Sequence, residues 1–189
     1  QGYFIELDQD IKEQHRRHGT NARGYFDNEL TKQRRDWKQA LDVGVPGSRD
    51  WTVPDNDPSN RCLDGLNQVP TEGELSGFRE TVVTYFQACA DLSNRLAVLM
   101  AAGILQDITT ETDGVDMVED LRMNHTSYLR MNYYPTCPAE EAAKEEKTGG
   151  SPPLGVSPHK DAGFLTVLLQ DEDCHSLQVW MDDNCWHTV

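Results

Sequence analysis

The 189-residue sequence has no run of eighteen apolar residues, no CxxC pair and no methionine at its start. The missing apolar run leaves no candidate for a bilayer-spanning helix. Nor is there a signal-type opening, because Gln1-Gly2-Tyr3-Phe4 gives way to charge within six residues. Basic charge is also scarce, with 17 Lys and Arg against 32 Asp and Glu and a formal net charge of −15. Residues 1–47 hold eight basic and eight acidic residues, so the whole acidic excess lies beyond them. Such a surface repels phosphate backbones, and neither nucleic acid nor an anionic membrane is an expected partner. The five cysteines, at positions 62, 89, 137, 174 and 185, are odd in number and scattered. They suit neither a zinc knuckle nor a disulfide framework and point to a reducing, cytoplasmic setting. The start without Met leaves upstream processing or truncation open. The sequence sets no oligomeric state.

What is present is enough apolar sequence for one domain, or one and part of a second, with polar insertions. Residues 7–18 and 29–40 are charged, free of proline and expected as helices. Between them Arg23-Gly24-Tyr25-Phe26-Asp27 suggests an aromatic turn. Gly44 to Pro70 is rich in turn formers and expected as a loop, anchored by Trp51 and Val53. The strongest helix is expected over about 71–102. Thr71 and Glu74 have capping-box spacing, and Leu75, Phe78, Val82, Tyr85, Phe86, Cys89, Leu92, Leu96, Leu99 and Met100 recur at helical period. A sheet from the second half of the chain is its expected partner. A short helix is expected around 114–122.

From Thr126 to Tyr134 the period becomes two. Leu129, Met131 and Tyr133 share one face, and Tyr128, Arg130, Asn132 and Tyr134 the other, polar face, which suits a cavity wall. Pro135 ends this strand. Residues 139–153 have the character of an inserted loop, with helical turns over Ala139 to Lys147. Further strands are expected at 156–161, 163–169 and 176–180.

Within 156–161, His159 and Asp161 would project from the same side of a strand, with Lys160 directed away. One imidazole and one carboxylate so placed can reach a common ion. A second histidine from a distant strand would complete a 2-His-1-carboxylate triad and leave sites open for a bidentate co-substrate and oxygen. Spacing alone fits a hydrogen-bonded surface pair about as well. Zinc hydrolysis at the same pair would need a third ligand and a general base, and there is no HExxH cluster. His187 reads as an exposed strand histidine. Arg130 reads as a structural ion pair, or else as a group on the substrate side.

The segment from Leu154 through Pro158-His159-Lys160-Asp161 to Asp171 resembles the metal-binding stretch of the 2-oxoglutarate- and iron(II)-dependent oxygenases. The likeness is to the branch around isopenicillin N synthase and the plant small-molecule dioxygenases. Arg130-Met131-Asn132-Tyr133-Tyr134-Pro135-Thr136-Cys137-Pro138 resembles the strand and turn before it. Leu177-Gln178-Val179-Trp180 and Trp186-His187-Thr188-Val189 resemble the hairpin after it. Lys160, Ser176 and the 139–153 insertion depart from the pattern.

That resemblance implies a mainly β fold with flanking helices, around a double-stranded β-helix (jelly-roll) core that is incomplete at its C-terminus. It divides the chain into a helical region over 1–105 and the first part of the oxygenase domain over 106–189. His159 and Asp161 would be iron(II) ligands, and Asn132 and Tyr134 would help hold 2-oxoglutarate. The implied reaction is the oxidation of a small organic substrate by molecular oxygen, by hydroxylation or desaturation, with release of succinate and CO2. The second histidine and an Arg-x-Ser motif for the distal carboxylate of 2-oxoglutarate are not present and are expected beyond Val189. A catalytically incomplete relative, serving as an interaction domain, is the alternative.

Overall fold

A computed structural model of the chain describes residues 2–19, 21–46, 65–104, 119, 125–140, 143, 154–174 and 176–189. Two short helices, α1 (Gly2–Ile5) and α2 (Gln9–Gln14), lead into strands β1 (Gly24–Phe26), β2 (Leu30–Thr31), β3 (Arg34–Arg35) and β4 (Gln39–Gly44). A long helix, α3 (Phe78–Ile104), precedes β5 (Tyr128–Tyr133), and β6 (Gln178–Trp180) and β7 (Trp186–Thr188) form a hairpin near the end.

The principal sheet is antiparallel, in the order β1-β4-β5, and takes strands from both sides of the long helix. Its register pairs Tyr25 with Leu41 and Leu41 with Met131, which sets these three side chains on one face. With Val43 and Tyr25 they meet Tyr3, Phe4 and Leu7 from the N-terminus, together with Val69 and Val82. Each side chain fully buried there contributes roughly 1.5–3 kcal/mol. Leu129, Met131 and Tyr133 pack against this cluster, as their alternation indicates.

Several expectations are corrected. Residues 29–40 are not a helix: they form the β2–β3 hairpin and enter β4, the central strand of the principal sheet, buried over residues 40–44. The two-residue connection is Lys32-Gln33, with φ of 52° and 65°. Type I′ hairpin turns require positive φ at both central positions and usually signal themselves as Asn-Gly. Without that signal the segment reads as a charged helix. Arg23 to Asp27 is likewise a strand and not only a turn, and it begins at Gly24, φ 124°, where an added Cβ would lie 2.2 Å from the His15 carbonyl.

The long helix begins at Phe78 rather than Thr71. The Thr71–Glu74 pair does form, with the Thr71 N–H and hydroxyl donating to Glu74 at 2.8 and 2.9 Å, but it closes a separate turn. Gly77, at φ 70°, breaks the path between that turn and the helix. Only Val82, Phe86, Ala97 and Ala101 of the described helix residues are buried, and its sheet partner includes strands from the first half of the chain. The described parts of 156–161 and 163–169 hold no strand, and 176–180 is a strand only over Gln178–Trp180. A strand needs a neighbour to satisfy its N–H and C=O groups, and among the described residues none lies beside 156–169. The loop anchors Trp51 and Val53, the helix at 114–122 apart from Glu119, and most of the insertion fall outside the described residues.

The sheet's other face is charged. Arg130 on β5 stands opposite Asp42 on β4 and forms a two-pronged pair with it, both N···O distances 2.8 Å. Glu29 lies 3.4 Å from Arg130 and 2.7 Å from Lys38. Burial alone would raise the Glu29 carboxyl, but the Lys38 bond and the Arg130 charge outweigh it and hold the group below its ordinary 4.5. Its contribution to stability is therefore complete above pH 4.5 and is lost as pH falls through the depressed value. Glu29→Gln should flatten the loss of stability on acidification below pH 4.5. Denaturant midpoints measured across that window check this, and parallel acid limbs for the two proteins would contradict it.

Candidate functional site

The charged face of the sheet leads to the residues that the sequence singles out. Asn132 sits on it opposite Ala40, and Tyr134 follows just past the end of β5. Both are exposed, Tyr134 by about half. Partial burial of the Tyr134 hydroxyl, with Asp36 and Glu29 adding negative potential, pushes its pKa above the ordinary tyrosine value, and Arg130 opposes this. Arg130 itself is engaged by Asp42 and Glu29 and stacks over Phe26, its guanidinium 5.0 Å from the ring centre. Of the two readings of Arg130, the structural ion pair is the one formed.

Residues 154–157 form a strap between this face and the segment that carries His159 and Asp161. The Trp37 N–H donates to the Leu154 carbonyl at 3.0 Å, and the Ser157 N–H donates to Asp36 Oδ1 at 3.3 Å. On its other side the strap lies against Tyr134. A Cβ on Gly155 would meet the ring carbons at 2.5 and 2.8 Å, so only glycine admits this contact. The strap thus fixes the residues leading to His159 although it contains no ladder.

His159 and Asp161 come together, but not as neighbours on one face of a strand. They occupy an irregular segment, with Nε2 of His159 3.3 Å from Oδ1 of Asp161. Nδ1 of His159 faces the Ser157 carbonyl at 2.9 Å. A carbonyl can only accept, so Nδ1 carries the hydrogen and the neutral ring presents its lone pair at Nε2. That lone pair points toward a carboxylate oxygen. Two electron-rich atoms facing each other at this distance call for a cation, either a proton or a metal ion. Asp161 is further steadied by the Thr166 hydroxyl, which donates to Oδ2 at 2.8 Å. Both side chains are about half exposed, which leaves open coordination positions.

The donor set fits a divalent metal at two positions. Among the described residues no group of three or more His, Cys, Asp and Glu converges on one point. His187 does not join the pair. It lies on exposed β7 and bonds Asp183 at 2.7 Å. Sequence reasoning missed Asp36, Ser157, Gly155 and Thr166. Asp36 reaches Ser157 across 121 positions, a separation that no local pattern carries.

Comparisons with known proteins come from independent directions. The profile of the 2OG-Fe(II) oxygenase superfamily matches residues 125–189. Jasmonate-induced oxygenase 3 of Arabidopsis thaliana is 49% identical over 61 residues, covering 32% of this chain and 14% of that protein. Jasmonate-induced oxygenase 2 of the same plant is 35% identical over 113 residues, covering 59% and 26%. A probable iron/ascorbate oxidoreductase of Dictyostelium discoideum is 29% identical over 197 aligned positions, covering 94% of this chain and 52% of that protein. The chain therefore spans about half or less of the length of these relatives. A crystal structure of JOX2 in complex with 2OG, Fe and JA matches 98% of this chain and 46% of its own, with a TM-score of 0.65 and 24% identity, which shows a shared fold.

Gly155→Ala should force the Tyr134 ring off the strap and lower stability by about 1–3 kcal/mol, the usual range for overpacking. Tyr134→Ala made in the same chain should recover part of that loss. A double-mutant cycle of thermal midpoints checks the contact, and additive effects would contradict it.

Proposed function

We propose that this chain, whose residues 125–189 match the profile of the 2OG-Fe(II) oxygenase superfamily, oxidises a small organic substrate at a non-haem iron(II) site held by His159 and Asp161. The observation that carries this reading is the convergence of His159 Nε2 and the Asp161 carboxylate, inside the segment that matches the family. The reaction consumes 2-oxoglutarate and molecular oxygen, releases succinate and CO2, and hydroxylates or desaturates the substrate. Bound iron would supply the activation of oxygen, which no side chain can perform.

The protein's own residues bind and orient. His159, with its hydrogen kept on Nδ1 by Ser157, gives one donor, and Asp161, steadied by Thr166, gives another. Asn132 and Tyr134 would hold 2-oxoglutarate from the charged side of the sheet, Asn132 through its amide and Tyr134 through its hydroxyl. A double-stranded β-helix core fits the fold shared with JOX2. The relatives' names include jasmonate-induced oxygenases and a scopoletin 8-hydroxylase, which favours a small molecule as substrate. The acidic balance disfavours nucleic acid. No described helix is long and apolar enough to cross a membrane. The scattered cysteines, four of them free among the described residues, suit a cytoplasmic setting.

The test is succinate release by the intact protein, with iron(II), 2-oxoglutarate and a panel of small aromatic and fatty-acid-derived substrates. Activity should require iron and fall at least about a hundredfold in His159→Ala, as expected when a metal ligand is lost. Metal-independent turnover, or unchanged turnover in His159→Ala, would sink the reading. An intact protein that binds iron but never releases succinate would favour the interaction-domain alternative.

A further inference from the structure

Asp36 is a fully buried carboxylate that the reaction as described does not use. It sits between the β2–β3 hairpin and β4, with its side chain wholly shielded from solvent. Its Oδ2 accepts from the Thr31 hydroxyl at 2.7 Å and lies 3.4 Å from Lys38 Nζ. Its Oδ1 accepts from the Ser157 N–H. Burying a carboxylate is costly unless its oxygens are satisfied, and here donors come from three separate positions. Two of these are local, and the third belongs to the strap that ends at His159.

The geometry forms a relay. Ser157 gives its N–H to Asp36 and receives at its carbonyl the Nδ1 hydrogen of His159. The neighbouring bond from Trp37 to Leu154 holds the strap's other end on the same hairpin–strand junction. Rotation of the Ser157 backbone away from Asp36 would swing its carbonyl and release the imidazole to flip or change tautomer. We propose that Asp36 is a positioning residue for the metal centre, acting through the Ser157 backbone to keep the His159 imidazole in the Nδ1–H form with Nε2 directed at the metal position. This rests on the assignment of His159 as a ligand. It adds that the ligand's orientation is set by a residue far away in sequence, in the N-terminal strands. Groups that orient a ligating histidine typically change metal affinity by about 10–100-fold when removed, and Asp36 acts one bond further out, so about tenfold is expected.

Asp36→Ala removes the acceptor but leaves no unpaired buried charge, because Lys38 retains Glu29 at 2.7 Å. Asp36→Asn keeps an oxygen for the Ser157 N–H. Thr31→Val removes a hydrogen bond of Asp36 without touching the relay. Two readouts apply to the intact protein: the tautomer of His159 in long-range proton–nitrogen spectra of the metal-free form, and affinity for cobalt(II). Asp36→Ala should depopulate the Nδ1–H form and weaken cobalt(II) binding about tenfold. Asp36→Asn should lower the thermal midpoint yet keep the wild-type imidazole signals, and Thr31→Val should behave the same way. The proposal is overturned if Asp36→Ala keeps wild-type signals and affinity, if Thr31→Val shifts both as far as Asp36→Ala, or if Asp36→Asn loses the Nδ1–H form. A His159→Ala control separates the two claims. Unchanged cobalt(II) affinity in that variant removes the ligand assignment itself, whereas loss of affinity there with no effect of Asp36→Ala removes only the positioning role.

Discussion

Six residues of β4 pair with six of β5, and the rest of the structure depends on that ladder. It joins residues 39–44 to 128–133, and it is the only ladder among the described residues that connects the N-terminal strands to the segment that matches the oxygenase family. Because strand side chains alternate, its register determines both faces together. A slip of β5 by one residue would move Leu129, Met131 and Tyr133 away from the core and turn Arg130 toward it. The apolar face supplies most of the free energy. The two-pronged Arg130–Asp42 pair opposes such a slip, since moving either partner would leave a largely buried charge unmatched.

Downstream of the ladder, the site is built by tethering rather than by regular structure. The strand patterning of 156–169 leads one to expect a ladder, and the structure instead holds the motif by single hydrogen bonds to Asp36 and from Trp37, by the Tyr134 ring against Gly155, and by Thr166. This reconciles an irregular backbone with a defined donor geometry. It also leaves His159 and Asp161 about half exposed.

Legibility in the sequence followed the range of the interaction. The two faces of β5 were readable because period-two alternation is local, and so was the helical pattern after Phe78. The capping pair at Thr71 and Glu74 was readable as a pair but misplaced the helix start, because Gly77 intervenes with a backbone conformation that spacing does not encode. The β2–β3 hairpin was hidden because Lys32 and Gln33 adopt left-handed φ without the usual Asn-Gly, their conformation being imposed by the pairing of Leu30 with Arg35 and Thr31 with Arg34. His159 and Asp161 were singled out from type and spacing, although the strand geometry invoked for them is absent. Their supports, Asp36 and Ser157, were invisible, because the contact that joins them spans 121 positions.

Among the described residues two His–Asp pairs lie in the C-terminal part of the chain, His159 with Asp161 and His187 with Asp183, and the second is the shorter at 2.7 against 3.3 Å. Distance alone would favour the second. What sets the first apart is the Ser157 carbonyl, 2.9 Å from Nδ1 of His159, which orients that ring with Nε2 toward Asp161. Anaerobic calorimetric titration of the intact protein with iron(II) decides between them most directly. The account predicts that His159→Ala abolishes tight binding and that His187→Ala leaves it unchanged. Retained binding in His159→Ala, with loss in His187→Ala, would contradict it.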